Sequence, residues 1–353
     1  LDLAADLLEV QAQRELRRRD PWQPDQGLVR ELIGAFPWTD TEDQARSDGE
    51  ISADLGAPRP MDRLLCGDVG FGKTELAVRA AFRVVAGGGQ VAMLVPTTVL
   101  AHQHLATFRE RLADFPVVVE GLSRTVTGKA GKELLGRVER GEVDVLVGTH
   151  RILSKDVRFK RLGLVVIDEE QRFGVTHKEH FKSLRATVDV LTLSATPIPR
   201  TLHMSLAGVR DISALATPPP GRQEIDTRLV DAGDERLVRE ALLFEQGRGG
   251  QVFYLHNRVQ SIDAVARRLA ELAPQLSFAV GHGQMPAREL ERIVDSFARG
   301  EVDVLVATTI VENGLDIPAA GTIFIDQADQ FGLAELHQLR GRVGRGVHKA
   351  YCY

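Results

Sequence analysis

Cysteines and long apolar runs are nearly missing from this sequence. Its 353 residues include two cysteines, Cys66 and Cys352, which lie far apart and form no cluster with metal-ligand spacing. This scarcity excludes a disulfide-rich scaffold and a cysteine-based zinc site, and it is typical of a protein kept in a reducing cytoplasm. No stretch of about 18 consecutive apolar residues is present, so the sequence predicts neither a membrane-spanning helix nor a membrane partner.

An excess of positive charge is missing as well. The chain carries 44 Lys and Arg against 49 Asp and Glu, a net charge of −5. Charge alone therefore does not indicate a nucleic-acid partner, and a phosphate-binding surface would need a local cluster of basic residues. The chain starts at Leu1 rather than Met, so we expect it to be a piece of a longer protein. Acidic residues precede the basic run at 17–19, which is the opposite of the charge order in a signal peptide.

What the sequence does contain is a regular alternation of short apolar runs with helical patterns. Five of these runs predict strands, at residues 63–66, 91–95, 143–147, 164–167 and 190–193. Gly, Thr and Pro are frequent in the loops near their ends. This alternation predicts an α/β fold in which a parallel sheet is flanked by helices.

One stretch of eight residues occurs twice. Residues 140–147 and 299–306 share the sequence Arg-Gly-Glu-Val-Asp-Val-Leu-Val, and each copy is followed by a small residue and a threonine. Identity over eight positions exceeds what strand propensity alone produces, so we predict two related lobes in tandem. A helix–turn–strand pattern that recurred without common origin is the alternative. The proline-rich residues 217–221 predict a stiff connector between the lobes.

A glycine-rich phosphate-binding motif lies between a predicted strand and a predicted helix. It fits the pattern G-x-x-x-x-G-K-[ST], in which the glycines let backbone N–H groups face a phosphate at the positive end of the helix. Lys73 would neutralise charge on the β- and γ-phosphates, and the Thr74 hydroxyl would bind Mg²⁺. A chance glycine-rich turn is the alternative. The predicted nucleotide-binding residues of this motif are Gly67, Asp68, Val69, Gly70, Phe71, Gly72, Lys73 and Thr74.

An acidic cluster follows another predicted strand. Asp168 and Glu169 stand directly after the apolar run at 164–167. An acidic residue at the carboxyl end of a parallel strand lies at the ligand crevice of the sheet. Asp168 is therefore predicted to hold Mg²⁺, and Glu169 to activate the water that attacks the γ-phosphate. A solvated acidic loop is the alternative, which the upstream phosphate-binding motif disfavours.

An arginine-rich segment near the end of the chain could complete this site. The second lobe has no glycine-rich motif after its predicted strand at 251–255, so one nucleotide site is expected. Gln338, Arg342 and Arg345 lie in the sequence Gln-Leu-Arg-Gly-Arg-Val-Gly-Arg. Arginines presented across a cleft can stabilise the transition-state charge of a γ-phosphate. A solvated basic turn is the alternative.

With these motifs the chain resembles the superfamily-2 helicases over essentially its whole length, and most closely the motor of bacterial transcription-repair coupling factors. RecG-type fork-remodelling helicases share the patterns at 195–201 and 331–333. Phe71, Glu75 and residues 312–318 favour the coupling factor.

The resemblance implies two tandem RecA-like P-loop domains, each a parallel sheet flanked by helices. The ATP-binding lobe would span residues 26–217, and the second lobe residues 218–353, truncated at its end. A linker helix would precede them within residues 1–25, where a partial apolar stripe over 1–19 is visible.

The resemblance also implies roles for individual residues. Phe36 would stack on adenine and Gln44 would bind its edge. Hydroxyls and backbone N–H groups at strand ends would contact DNA phosphates without reading the base sequence; taken singly, each such segment could be an ordinary polar loop. The DNA-binding residues implied are Thr97, Thr98, His102, Gln103, Ser123, Arg124, Thr149, His256, Asn257, Arg258, Gly283, Gln284, Thr308 and Thr309. The residues implied to couple ATP state to DNA grip are Ser194, Thr196, Arg200, Glu312, Asn313 and Asp316.

The function that the resemblance implies is ATP-driven translocation on double-stranded DNA. A cleft between the lobes would close on ATP and Mg²⁺ and reopen after hydrolysis. The task would be to displace stalled RNA polymerase and to recruit excision repair, through polymerase-binding and repair-binding modules absent from this chain. The alternatives are a replication-fork remodeller and a non-catalytic DNA-binding scaffold. The scaffold is disfavoured because the phosphate-binding, acidic and arginine motifs are all present.

Overall fold

The computed structural model describes residues 12, 14, 16–122, 128–174, 181, 184–195, 210–220, 224–231, 233–309, 320–344 and 348–353. The chain divides into two compact units, residues 1–219 and 220–353. Most of the segment predicted as a linker helix lies outside the described residues.

The first unit is built on a sheet in which all described strand pairs are parallel, in the order β3-β4-β2-β5-β6-β1-β7. The strands are β1 Asp62–Gly67, β2 Gln90–Leu94, β3 Val119–Leu122, β4 Val145–Gly148, β5 Leu162–Asp168, β6 Asp189–Ser194 and β7 Asp211–Leu215. The helices are α1 Gln26–Gly34, α2 Glu42–Leu55, α3 Lys73–Ala86, α4 Thr98–Arg111 and α5 Gly128–Arg140. The predicted α/β fold is therefore confirmed.

Both faces of this sheet are covered, which explains why its strands are nearly continuous apolar runs rather than alternating ones. In β5, Leu164 and Val166 belong to one buried core, and Val165 and Ile167 belong to another. Successive side chains of a strand point to opposite faces, so each face receives every second residue. Helices α1 to α4 contribute to the first core, and α5 contributes to the second.

The second unit repeats this plan. Its described strands are all paired in parallel, in the order β10-β11-β9-β12-β13-β8. The strands are β8 Ile225–Thr227, β9 Gln251–Leu255, β10 Phe278–Gly281, β11 Val304–Ala307, β12 Ala320–Ile325 and β13 Ala350–Cys352. The helices are α6 Glu235–Gly247, α7 Val259–Leu272, α8 Ala287–Ala298 and α9 Leu333–Arg340. Set against the first sheet, β10, β11, β9, β12, β13 and β8 take the places of β3, β4, β2, β5, β6 and β1.

The repeated eight residues make the same contacts in both units. Asp144 of the first copy accepts the backbone N–H of Val118 at 2.7 Å, and Asp303 of the second accepts that of Ser277 at 2.7 Å. In each copy the first arginine pairs with the glutamate two residues later, at 2.6 and 2.7 Å. A glutamine at the start of the adjacent strand donates to two backbone carbonyls of each copy's helix–strand turn. The prediction of two related lobes is confirmed at the level of individual hydrogen bonds.

The segment before α1 is fastened to the first sheet by Trp22. The indole Nε1 donates to Asp189 Oδ2 at 2.7 Å, and Arg19 Nη2 donates to Asp189 Oδ1 at 3.0 Å. The ring lies so close to Gly89 and Gly163 that a Cβ at either position would approach it to 2.7 or 2.5 Å. Glycines at these positions therefore form a slot that admits the indole.

We expect Gly163→Ala to destabilise the protein by about 1–3 kcal/mol, because the added methyl group would be forced against the Trp22 ring. Gly49→Ala is the matched control, since Gly49 lies in α2 with nothing within 4 Å of its missing Cβ. That change should stabilise the helix by roughly 0.5–1 kcal/mol. Urea unfolding followed by tryptophan fluorescence measures both. Equal stability of the Gly163 variant and the wild type would contradict the packing described here.

Candidate nucleotide and nucleic-acid sites

The predicted phosphate-binding, acidic and coupling motifs meet at one edge of the first sheet. Strands β1, β6 and β5 are neighbours, and their register pairs Cys66 with Ser194 and Asp168 with Leu193. Because the strands are parallel, the loops that follow them emerge side by side. The sequence motifs at 67–74, 168–169 and 194–195 are thus brought together by the strand order alone.

The phosphate-binding loop has a backbone that only glycine adopts readily. Gly70 and Gly72 have φ of +80° and +86°, and α3 begins at Lys73 directly after them. Lys73 Nζ donates to the carbonyl oxygens of Gly67 at 2.6 Å and Asp68 at 2.9 Å, so its ammonium lies across the loop. A helix amino terminus together with an ammonium group favours an anion here. This arrangement fits the phosphates of a nucleotide.

Gln44 connects a neighbouring helix to this loop. Thr41 and Gln44 form a capping box at the start of α2, and the Gln44 side chain accepts the Thr41 N–H at 2.8 Å. Its Nε2 donates to the carbonyl of Phe71 at 3.0 Å. Gln44 therefore lies against the phosphate-binding loop, and its binding of the adenine edge stays a prediction.

Phe36 lies among arginines that the sequence did not indicate. The guanidinium carbons of Arg79 and Arg111 are 5.3 and 5.4 Å from the centroid of its ring, within range of cation–π attraction. Glu75 holds both arginines, at 2.9 Å from Arg79 and 2.8 Å from Arg111, and Asp40 accepts from Arg79 at 2.7 Å. The spacing of Glu75 and Arg79 is a helical i, i+4 signal, whereas the position of Arg111 is a tertiary contact without a local pattern.

The acidic residues are held on several sides. Asp168 Oδ2 lies 3.0 Å from Nε2 of His104, a buried residue of α4 that sequence reasoning missed. Glu169 has left-handed backbone, with φ 52° and ψ 53°, which costs a residue other than glycine roughly 1–2 kcal/mol. Its N–H donates to the Leu193 carbonyl at 3.1 Å, and its Oε1 accepts the Ala195 N–H at 3.2 Å.

The donors near the phosphate-binding loop suit magnesium. Among the described residues, no group of three or more His, Cys, Asp and Glu side chains could hold a metal alone. In nucleotide sites Mg²⁺ takes one or two protein oxygens, and phosphate and water oxygens complete its shell. The Thr74 hydroxyl at the start of α3 and the Asp168 carboxylate at the end of β5 are donors of that type.

The residues predicted to bind DNA follow the other strands of each sheet. In the first unit β4 and β2 are adjacent, and in the second β10, β11 and β9 are adjacent. The predicted residues thus gather at the carboxyl edge of each sheet, beside rather than among the predicted nucleotide residues of the first. The described ones are Thr97, Thr98, His102 and Gln103 after β2, Thr149 after β4, His256, Asn257 and Arg258 after β9, Gly283 and Gln284 after β10, and Thr308 and Thr309 after β11.

His256 is engaged inside the second unit. It is buried, its Nδ1 lies 2.6 Å from Asp326 Oδ2, and its Nε2 lies 2.7 Å from Ser261 Oγ. Asn257 and Arg258, which follow it, are exposed. The geometry favours His256 as the residue that orients this strand end, and DNA contact by the three residues stays a prediction.

The remaining predicted residues are described only in part. Ser194 ends β6 and is buried, and Gln338 and Arg342 are buried at the end of α9 and just after it. Their roles stay predictions. The predicted residues outside the described part of the chain are Ser123, Arg124, Thr196, Arg200, Glu312, Asn313, Asp316 and Arg345.

The acidic turn of the first unit has a counterpart in the second. After β12, Asp326 is followed by Gln327, which has φ 54° and the same left-handed backbone as Glu169. Strand β8, which takes the place of β1, is followed by Arg228 and no glycine-rich motif. The second unit therefore keeps the turn but has an amide in place of the carboxylate.

Two family models match the chain in tandem. The model of the DEAD/DEAH box helicase matches residues 50–205, and that of the helicase conserved C-terminal domain matches residues 234–347. No helix in the described ranges is both long and apolar enough to span a membrane.

Known proteins resemble the chain along its whole length. It is 53% identical to the transcription-repair-coupling factor of Bacillus subtilis and 52% identical to that of Escherichia coli, over 352 residues and 100% of the chain. The chain spans 30% and 31% of the length of these relatives. A solved structure of RecG bound to a three-way DNA junction matches 99% of the chain and 48% of RecG, with a TM-score of 0.81 and 37% identity.

We expect Glu169→Gly to be more stable than Glu169→Ala by about 1–2 kcal/mol, because glycine adopts left-handed backbone without strain and alanine does not. Both changes remove the carboxylate, so their difference isolates the backbone. The same pair of substitutions at Gln327 should give a similar difference, since its φ is nearly the same. Urea unfolding measures all four variants. An alanine variant as stable as its glycine partner would show that this turn is not strained.

Proposed function

Because the chain belongs to the superfamily-2 helicases, we propose that it is an ATP-hydrolysing motor that moves along double-stranded DNA, of the transcription-repair coupling type. The observation that carries the proposal is the meeting of a glycine-rich loop and a strained glutamate at one edge of a parallel sheet. Fold likeness alone would not assign an activity, whereas this pairing supplies both a phosphate site and a base.

In the proposed reaction the loop at 67–74 binds the phosphates of ATP through its backbone N–H groups. Lys73 moves from the loop carbonyls to the β- and γ-phosphates. Its attraction to the phosphate oxygens is stronger in the transition state than in the ground state. Thr74 and Asp168 would hold Mg²⁺, which when bound neutralises charge on the phosphate oxygens. Phe36 and Gln44 would bind the adenine.

Glu169 is proposed to take the proton of the attacking water. A general base must lie within hydrogen-bonding reach of that water, so its side chain needs a fixed direction. The left-handed backbone and the N–H of Ala195 supply that direction. Ala195 follows Ser194 in the predicted coupling motif, so a movement of this motif would move the base as well.

DNA is the proposed track. Thr97 and Thr98 after β2 and Thr309 after β11 are partly exposed, and hydroxyls of this kind are suited to phosphates. Such contacts fix position without reading sequence. Thr149 and Thr308 are buried. RecG, at 37% identity, was solved on a three-way DNA junction, which favours fork remodelling as the second candidate. That candidate fits less well, because the coupling factors are 52–53% identical over the same residues.

We further propose that the longer protein displaces stalled RNA polymerase and brings excision repair to the damage. RNA polymerase and an excision-repair protein would bind through modules outside these 353 residues, as the chain spans about a third of the coupling factors it matches.

Lys73→Ala should leave a folded protein and reduce ATP turnover by roughly 10²–10³-fold, because a charge that stabilises the transition state is lost. Glu169→Gln should stop hydrolysis while nucleotide binding persists, since the amide cannot take a proton. Steady-state ATPase rates with and without duplex DNA, together with equilibrium binding of a fluorescent ATP analogue, measure both effects.

Lys132→Ala is the control for the lysine, because Lys132 is exposed on α5, away from the loop. Its turnover should match the wild type. Undiminished turnover in the Lys73 variant would remove Lys73 from the reaction.

The longer protein should displace a stalled RNA polymerase in an ATP-dependent way, and its Lys73→Ala variant should not. Release of labelled transcript from a nucleotide-starved elongation complex measures displacement, and regression of a synthetic fork is followed in parallel. If the longer protein regressed the fork and left the elongation complex intact, the coupling proposal would be refuted and fork remodelling would be the better-supported function.

A further inference from the structure

Glu170, next to the strained Glu169, forms ion pairs with Arg185 and Arg210, which together are called the clamp. Arg185 Nη2 lies 2.7 Å from both of its carboxylate oxygens, and Arg210 Nη1 lies 3.5 Å from Oε2. The Glu170 side chain is 19% exposed. The contacts with Arg185 and Arg210 restrict the direction of this carboxylate.

The clamp also contacts strand β6, whose end forms hydrogen bonds with Glu169. Arg210 also donates to the Thr192 hydroxyl on β6 and lies 2.9 Å from Asp62 at the start of β1. The same strand β6 supplies the Leu193 carbonyl and leads directly to Ala195, the two backbone groups that contact Glu169. Glu170 and β6 are thus tied to one another through a common guanidinium.

The second unit shows what this turn looks like without the clamp. There Gln327 has the left-handed backbone of Glu169, and Ala328 stands where Glu170 stands in the first unit. Glu170 and Ala328 are each the first residue of a short 3₁₀ turn, Glu170–Arg172 in the first unit and Ala328–Gln330 in the second. The turn therefore forms without an acidic residue at this position. The clamp is found in the first unit, where the left-handed residue of the turn is a glutamate, Glu169, rather than an amide.

We propose that Glu170, anchored by Arg185 and Arg210, is a positioning residue that fixes the Glu169 carboxylate for attack on the γ-phosphate. This inference rests on the proposed ATP hydrolysis and on Glu169 as its base. Anchoring the side chain of residue 170 restricts the backbone between 169 and 170, and a general base misplaced by about 1 Å costs a large part of its rate. Glu170 does not itself touch the reacting atoms in this scheme.

Glu170→Gln keeps the size of the side chain and removes the charge that the arginines bind. We expect kcat to fall by roughly 10- to 100-fold, as for a misplaced catalytic group, while KM for ATP and the affinity for a fluorescent ATP analogue stay near wild type. Glu170→Ala copies the second unit, whose turn forms with alanine, and should show the same loss of kcat in a folded protein.

Glu245→Gln is the matched control. Glu245 is a buried glutamate of the second unit whose carboxylate lies 2.6 Å from Arg248, so the same substitution breaks a comparable ion pair away from the site. It should lower the unfolding midpoint without changing kcat. If the Glu170 and Glu245 variants lose stability and kcat in equal proportion, the clamp is structural and the inference is overturned.

The outcome also separates this inference from the proposed function. Hydrolysis by the wild type that survives Glu169→Gln would refute the proposed function and leave Glu170 nothing to position. Hydrolysis that is lost in Glu169→Gln but proceeds at the wild-type kcat in folded Glu170→Gln or Glu170→Ala would overturn the positioning role alone. Loss of kcat at constant KM in both Glu170 variants, with Glu245→Gln unchanged, supports it.

Discussion

The parallel direction of the strands is the constraint on which the rest of this structure depends. Parallel strands need a crossover after each strand, so the loops that follow them all emerge at one edge. In the first unit that edge collects the loop at 67–74, the acids at 168–170 and the end of β6 at Ser194. An antiparallel sheet built from the same strands would send half of these motifs to the opposite edge.

The two units show how one framework serves two purposes. Both keep the hydrogen bonds of the repeated eight residues and the left-handed turn at Glu169 and Gln327. They differ where chemistry requires it: the first has a carboxylate and a glycine-rich loop, and the second has an amide and no such loop. We infer that the turn belongs to the shared fold, and that Glu169 and its neighbour Glu170 adapt one copy to the proposed hydrolysis.

The strands predicted from the sequence, which correspond to β1, β2, β4, β5, β6 and β9, were predictable because each is an apolar run, whereas β3 and β7 of the first sheet were not predicted. The boundary of β4 was less accurate: residues 143–147 were predicted and 145–148 are observed, since the carbonyl of Val143 is used by Gln90 rather than by the ladder. The contacts of Arg79 and Arg111 with Phe36 and the clamp on Glu170 were not predictable. Arg185 and Glu170 are fifteen residues apart without helical spacing, and only the tertiary fold brings them together.

The number of nucleotides bound by the chain tests the central claim most directly. Isothermal calorimetry with a non-hydrolysable ATP analogue and Mg²⁺ should give one site per chain, because the first unit alone combines a glycine-rich loop with Asp168. Two variants locate this site. Lys73→Ala should weaken binding of the analogue, whereas Gln327→Ala, which alters only the second unit, should leave it unchanged. Two sites per chain, or one site that Gln327→Ala abolishes and Lys73→Ala leaves unchanged, would contradict the account.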